Sequence, residues 1–254
     1  MKLFAVKYIE MDLFTDKSET DVRIEQLQVA IFYPGIAISD KIKVAQEMRS
    51  ACGLDGEVVI LPVPDEAPYE ILRIQLFSKD QVFSVLIAKN RADLLFRPAA
   101  STATGRSFPP TYASKAFALF AYMKDNLQAR VTRVGIVGTW QINLGNRSSI
   151  TEVMTRYVRE SLSFPGIHDV ELHFLTKERI DEFLTNRWVR LRTVQDTLKA
   201  GNVVSLMIDL NTVAEVEYTF THEKFEGFFR KGQDLIMRTL GDHLKIMGVS
   251  DEQF

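Results

Sequence analysis

The same order of secondary-structure signals occurs twice in this chain, and this recurrence constrains the fold more than any other feature. Asp40 and Ser149 each stand before a segment whose apolar residues recur at helical spacing, and Thr111 and Thr221 each stand before another. Thr111 follows Asp40 by 71 residues, and Thr221 follows Ser149 by 72. Few residues are identical between the halves, so the similarity is one of element order and spacing. The pattern predicts two copies of one unit, made of a strand, a helix, four strands and a helix.

The first predicted unit begins with a strand at 22–33, which Pro34 and Gly35 end. Asp40 caps the next helix, and Gly53 suits its C-terminal end because glycine readily adopts left-handed backbone conformations. Thr111 begins the closing helix of this unit. Between the two helices, residues typical of β-structure predict four strands, at 57–63, 70–77, 81–88 and 91–96.

The second predicted unit begins with a strand at 131–144. Ser149 and Glu152 match the capping box, in which each side chain binds a free backbone N–H, and they predict a helix over 149–160. Thr221 is the predicted cap of a long final helix. The strands predicted between these helices are 168–175, 187–194, 203–210 and an alternating segment with Val216, Tyr218 and Phe220, which would form a hairpin with the third.

These elements predict an α+β fold of two similar units, with mainly antiparallel sheets each covered by helices and a pseudo-twofold relation between the units. The first unit would comprise 1–110 and the helix 111–129, with an N-terminal extension at 1–21. The second would comprise 130–254. The segment 98–110 has no periodicity and is interpreted as a spacer, with a binding loop as the alternative.

Charge and cysteine content narrow the classes of partner and compartment. The chain has 31 basic and 33 acidic residues, a formal charge of −2, so no overall field draws it to nucleic acid or to an anionic membrane. The single cysteine, Cys52, has no second cysteine with which to form an internal disulfide. Acidic residues interrupt the apolar N-terminal residues, and no apolar run is long enough to span a bilayer. We therefore expect a cytoplasmic protein without a membrane partner.

The leading candidate binding surface is the predicted strand at 187–194. Strand alternation places Trp188, Arg190 and Arg192 on one face, where guanidinium groups beside an aromatic ring suit protein anchors, phosphates or stacked bases. The alternative, without a binding function, is a solvent-exposed strand face whose charged side chains form cross-strand ion pairs. With the arginines around the preceding strand, the candidate binding residues are Arg187, Trp188, Arg190, Arg192, Arg130 and Arg133.

Other polar groups are weaker candidates. Strand alternation puts Asp169, Glu171 and His173 on one face beside His168, a set that could ligate a metal, but a solvent-facing strand is the preferred explanation because the spacing matches no recognised ligand pattern. Near the ends of the final helix, Glu223 beside His222 and His243 beside Asp242 suit the helix dipole. Cys52 is predicted to be a core residue. The glycines at 134–138 lack the third glycine and acidic residue of a dinucleotide fold.

These observations predict a non-catalytic interaction or adaptor protein, a subunit of a cytoplasmic complex, whose partner is another protein or a second copy of itself. The alternative is an RNA-binding or RNA-processing protein that uses the Arg/Trp strand face. A third hypothesis is a metal-dependent hydrolase built on the strand at 168–175. The sequence predicts no cofactor, no metal site and no catalytic residues.

Overall fold

A computed structural model of the chain describes residues 21–99, 107–145, 150–158, 170–194 and 203–249. Within these ranges the fold is α+β, with four α-helices and one nine-stranded antiparallel sheet. The strands are β1 (Asp21–Phe32), β2 (Val58–Ile60), β3 (Ile74–Phe77), β4 (Phe83–Ile87), β5 (Arg91–Phe96), β6 (Arg133–Asn143), β7 (Glu171–Ile180), β8 (Phe183–Val194) and β9 (Val203–Thr212). The helices are α1 (Lys41–Ala51), α2 (Pro110–Ala121), α3 (Ile150–Val158) and α4 (His222–Met247), and a π-helical turn (Tyr122–Asn126) extends α2.

All nine strands belong to one continuous sheet in the order β2-β3-β4-β5-β1-β6-β9-β8-β7. The expectation of separate sheets is wrong, because β1 and β6 pair with each other at the centre. Leu27 faces Gly138 and Val29 faces Ile136 across this junction. Two separate sheets would leave the edges of β1 and β6 unpaired, and their pairing satisfies both rows of backbone groups. The predicted duplication and pseudo-twofold relation stay predictions.

The described part of the second half has three strands after its first helix, and the predicted fourth strand around Val216 is wrong. The segment between β9 and α4 is irregular. Its aromatic side chains pack on Phe183, with ring centres at 5.3 Å for Tyr218 and 4.6 Å for Phe220. The Tyr218 hydroxyl also accepts a hydrogen bond from the backbone N–H of Leu184 and donates one to its carbonyl, at 3.1 and 3.2 Å. The alternation that resembles a strand therefore reflects packing of aromatic rings under β8.

Two of the predicted helix caps are confirmed. Asp40 Oδ1 accepts a hydrogen bond from Lys43 N at 2.9 Å, and Thr221 Oγ1 accepts one from Lys224 N at 3.2 Å. Gly53 follows α1 with a φ of +57°, as the glycine prediction requires. Ser149 lies outside the described residues.

The predicted cap at Thr111 is wrong. Helix α2 begins at Pro110 and its N-cap position is Pro109, which makes no side-chain capping bond. Proline suits the first helical position because it lacks the N–H that would otherwise stay unsatisfied there. Thr111 lies inside the first turn, where its side chain is exposed.

The helices form a connected layer on one face of the sheet. Phe120 of α2 stacks on Phe225 of α4 at 4.1 Å, and Tyr157 of α3 stacks on His243 of α4 at 5.6 Å. The Tyr122 hydroxyl, in the π-helical turn, donates to Glu47 of α1 at 2.8 Å. Most sheet residues beneath this layer are buried, and this is where the hydrophobic core lies.

A close approach between Gly138 and Trp140 shapes the centre of this core. Trp140 is completely buried, and its ring lies over Gly138 on the same strand. A Cβ added at Gly138 would come within 2.2 Å of Trp140 Cη2. The glycine therefore makes room for the largest core side chain. Both glycines of the segment 134–138, Gly135 and Gly138, lie inside strand β6.

Candidate functional site

The second face of the sheet carries no described helix, and we call it the open face. Strand alternation and register bring polar and charged side chains together there from strands far apart in sequence. One row across five strands consists of Gln26, Thr139, Met207, Arg190 and His173. Such a row exists only because β1, β6, β9, β8 and β7 are neighbours in this order.

Trp188, Arg190 and Arg192 all lie on the open face. The guanidinium carbon of Arg190 stands 5.7 Å from the centre of the Trp188 ring, a distance typical of a cation–π contact. Trp188 and Arg190 are half-buried, whereas Arg192 is exposed. The three side chains thus form a cationic surface with one accessible aromatic ring.

Arg187 does not join them, because it lies on the helix face of β8. Its Nη1 donates to Thr239 Oγ1 of α4 at 2.7 Å, and its Nε lies 3.1 Å from Glu178 Oε1. These contacts fasten α4 to β8 and β7. Arg187 is therefore a structural residue, which the alternation of the strand already indicates.

The two other candidate arginines differ in setting. Arg130 precedes β6 and makes an exposed ion pair with Glu217 at 3.1 Å. Arg133 lies on the open face, with its guanidinium 4.4 Å from the centre of the Phe32 ring. Arg91 also contacts this ring, at 5.0 Å. Phe32 with its two arginines forms a second aromatic and cationic patch on the same face.

A cavity of about 550 Å³ occupies the centre of the open face. Its cationic walls are Arg97, Arg190 and Arg192, and its acidic walls are Glu25 and Glu171. Neutral side chains complete the lining: Gln26, Thr139, Ser205 and Met207. An opening of this size, with both hydroxyl and guanidinium donors, can accept a polar group from a ligand.

A chain of side-chain hydrogen bonds runs along one wall of the cavity. Arg97 Nε donates to Gln26 Oε1 at 2.8 Å, and Gln26 Nε2 donates to Gln28 Oε1 at 3.3 Å. Gln28 Nε2 then donates to Asp93 Oδ1 at 2.9 Å. Asp93 is buried and also pairs with Arg91 at 2.8 Å. This chain fixes the position of Arg97 relative to the centre of the sheet.

Sequence reasoning missed Arg97 and the neutral residues of the cavity. Their grouping depends on strand order, which a single sequence does not reveal. One signal was present: the inward residues Ile24 and Leu27 are three positions apart instead of two. The register shift between Ile24 and Gln26 explains this spacing, and such bulges often re-aim side chains near functional sites.

The candidate metal ligands are only partly described. Glu171 and His173 lie on the open face and bind each other, with His173 Nε2 at 2.8 Å from Glu171 Oε1. His168 and Asp169 lie outside the described residues. Within the ranges that the structure covers, no group of three or more histidine, cysteine or acidic side chains could hold a metal ion.

The remaining reactive groups have structural settings. Cys52 is buried, as predicted, and burial raises the pKa of its thiol to about 12. His222 stands at the start of α4 and pairs with Asp125 at 3.0 Å. His243 differs from the expectation of a cation at the helix end, because burial lowers its pKa and favours the neutral form. Its Nδ1 lies 3.0 Å from the Tyr157 hydroxyl.

Among the helices that the structure describes, none is long and apolar enough to cross a membrane. Comparison with protein-family models and with curated proteins finds no match to this chain.

Proposed function

We propose that this protein is a non-catalytic interaction protein, a subunit or adaptor that binds a protein partner through its open face. The observation that carries this proposal is the half-buried Trp188 with Arg190 stacked against it. Tryptophan and arginine are the residues that most often dominate the energy of protein interfaces. Neighbouring small and neutral side chains, such as Thr139 and Ser205, leave space for groups from a partner.

The structural layout favours this face over the helix layer. The helices bury most of their apolar side chains against one another and against the sheet, although Ile42, Val158 and Ile246 stay exposed. The open face instead displays two separate aromatic and cationic patches, at Trp188 and at Phe32. A partner that covers both would bridge β1 and β8, which lie on either side of β6 and β9.

The test compares capture of protein partners by the wild-type chain, by Trp188→Ala and by Arg190→Ala, with the assembly mass measured by light scattering. Each open-face variant is expected to lose captured partner by about tenfold or more, since interface anchors often contribute about 2 kcal/mol. Arg230→Ala is the matched control, because Arg230 is an exposed arginine on α4 paired with Glu226 at 2.6 Å. Equal capture by all four proteins would remove this face from the proposal.

Single-stranded RNA is a second candidate partner, favoured by the same contact between Arg190 and Trp188. Bases stack on aromatic rings, and arginine contacts phosphates in sheet-based RNA binders. RNA binding would appear as a salt-sensitive shift that Arg190→Ala abolishes. No binding at low salt would eliminate this alternative.

We also propose that the two halves are copies of one ancestral unit related by a pseudo-twofold axis. Each half supports this with a first strand that pairs with its own last strand, β1 with β5 and β6 with β9. The antiparallel pairing of β1 with β6 is what a twofold axis between them would produce. An experimental structure tests it: superposition of the halves should require a rotation of about 180°.

A cytoplasmic location is part of the same proposal. It is supported by the single cysteine, Cys52, which is buried and free. Fractionation of cells that express the full chain would test it, and recovery in a membrane or secreted fraction would contradict it.

A further inference from the structure

Three arginines approach the central cavity of the open face from different parts of the chain. Arg190 and Arg192 come from β8, and Arg97 follows β5. The hydrogen bond from Arg97 Nε to Gln26 Oε1 holds the third guanidinium against β1. The cavity therefore has cationic walls on two sides, across the central strands of the sheet.

These guanidinium groups are not matched by the carboxylates nearby. Glu171 stands opposite Arg192 in the strand register, yet its carboxylate binds His173 at 2.8 Å. Arg190 Nε is buried and has no hydrogen-bond partner among the described residues. A buried donor without an acceptor costs free energy, so the surrounding protein does not use the full hydrogen-bonding capacity of Arg190.

The acidic residues at the cavity select the kind of anion. With Glu25 and Glu171 against three arginines, the cavity walls carry a net charge of about one positive unit. One carboxylate group balances this charge. On a flexible acidic peptide one carboxylate can enter the cavity while its neighbours lie outside, whereas the phosphates of an RNA backbone follow one another at fixed spacing past both glutamates.

We propose that this cavity binds a carboxylate from an acidic segment of the protein partner, with Arg190 and Arg192 as its main contacts and Arg97 as the third. Guanidinium and carboxylate groups pair through two parallel hydrogen bonds, which gives orientation as well as charge neutralisation. Ser205 and Thr139 line the floor of the cavity and offer hydroxyl donors. This inference rests on the proposed function and adds the chemistry of the partner.

The test follows the arginine side-chain N–H resonances of the full-length, ¹⁵N-labelled chain by NMR at constant ionic strength. The probe is a tetraglutamate peptide. Saturable shifts are expected for Arg97, Arg190 and Arg192. Arg192→Gln should weaken binding by about tenfold, since it removes a charge-assisted pair. Arg230→Gln should leave the affinity unchanged, and backbone spectra of both variants check that the fold is retained.

Two further probes distinguish the source of the anion. Inorganic phosphate and a single-stranded oligouridylate are titrated under the same conditions, and both should bind more weakly than tetraglutamate. Tighter binding of the oligouridylate, shifts that do not saturate, or equal affinity in wild type and Arg192→Gln would each overturn the proposal. If tetraglutamate fails to bind while Trp188→Ala still loses its partner, this inference falls and the proposed function stands. The reverse result would remove Trp188 as an anchor of the partner and leave the carboxylate site in place.

Discussion

Arg190 and Trp188 lie two positions apart on β8, and the guanidinium of Arg190 stands 5.7 Å from the centre of the Trp188 ring on the open face of the sheet. Of the two tryptophans, Trp140 is completely buried and Trp188 is not. The contact therefore places a fixed positive charge beside the more accessible ring. The pair therefore serves both as the first candidate anchor for a partner and as a spectroscopic reporter of the open face.

Iodide is expected to quench the fluorescence of Trp188 and to leave Trp140 almost unaffected. Trp140 is completely buried, and Arg190 concentrates anions near Trp188. Trp188→Phe should abolish most of the iodide quenching, and Arg190→Ala should reduce it while caesium quenching rises. Equal iodide quenching in wild type and Trp188→Phe would show that Trp188 is not exposed as described.

Gly138→Ala is expected to destabilise the protein by about 1–3 kcal/mol, because a methyl group there overlaps the buried Trp140 ring. Gly135→Ala is the matched control on the same strand. Its added Cβ would meet Asn211 Cβ at an ordinary 3.5 Å, so its effect should be neutral or slightly stabilising. Urea denaturation measures both changes in the free energy of unfolding. Trp140→Phe should lower the free energy of unfolding by less in the Gly138→Ala background than in the wild type. Strictly additive losses from the two substitutions would argue against the contact.

Thr221→Ala is expected to lower the free energy of unfolding by about 1 kcal/mol, since it removes the hydrogen bond that caps α4. Thr111→Ala changes the same residue type in the first turn of α2, where no capping bond is made. It should alter stability by less than about 0.5 kcal/mol. Equal losses from the two substitutions would contradict the assignment of Pro109 as the N-cap of α2.

Stability is expected to fall as the pH is lowered through the titration range of His243. Burial is the main cause that lowers the pKa of this histidine, and Arg187 lowers it further while Asp242 opposes the shift. A histidine whose folded pKa lies below its unfolded value contributes stability that is present above the unfolded pKa of about 6.5 and is lost as the pH falls toward the folded pKa.

The measurement is the free energy of unfolding at a series of pH values for wild type and His243→Asn. The difference between the two proteins should shrink as the pH falls below about 6.5. A difference that is constant across this range would mean that the pKa of His243 is the same in the folded and unfolded states.

Local structure was readable from the sequence where short-range chemistry determines it. Asp40 and Thr221 could be identified as caps because the capping bond spans only three residues. The strand predicted around Val216 was wrong because Tyr218 and Phe220, which both pack on Phe183, have the same alternating spacing as residues on one face of a strand. The cap predicted at Thr111 was wrong because the helix already begins one residue earlier, at Pro110.

The candidate site was only partly predictable because its residues meet through long-range strand order. Trp188, Arg190 and Arg192 share one strand, so alternation alone groups them. Arg97 and Gln26 join them only after β1 pairs with β6 at the centre of the sheet. Nothing local in the sequence encodes that junction.

Arginine modification by phenylglyoxal, measured by mass spectrometry on the free chain and on its complex with the captured partner, tests most directly whether the open face is the binding surface. Arg97 and Arg192 are exposed on that face, and Arg230 is exposed on α4. The account predicts that partner binding lowers modification of Arg97 and Arg192 severalfold and leaves Arg230 unchanged. Unchanged modification of Arg97 and Arg192, with protection of Arg230, would contradict it and move the interface to the helix layer.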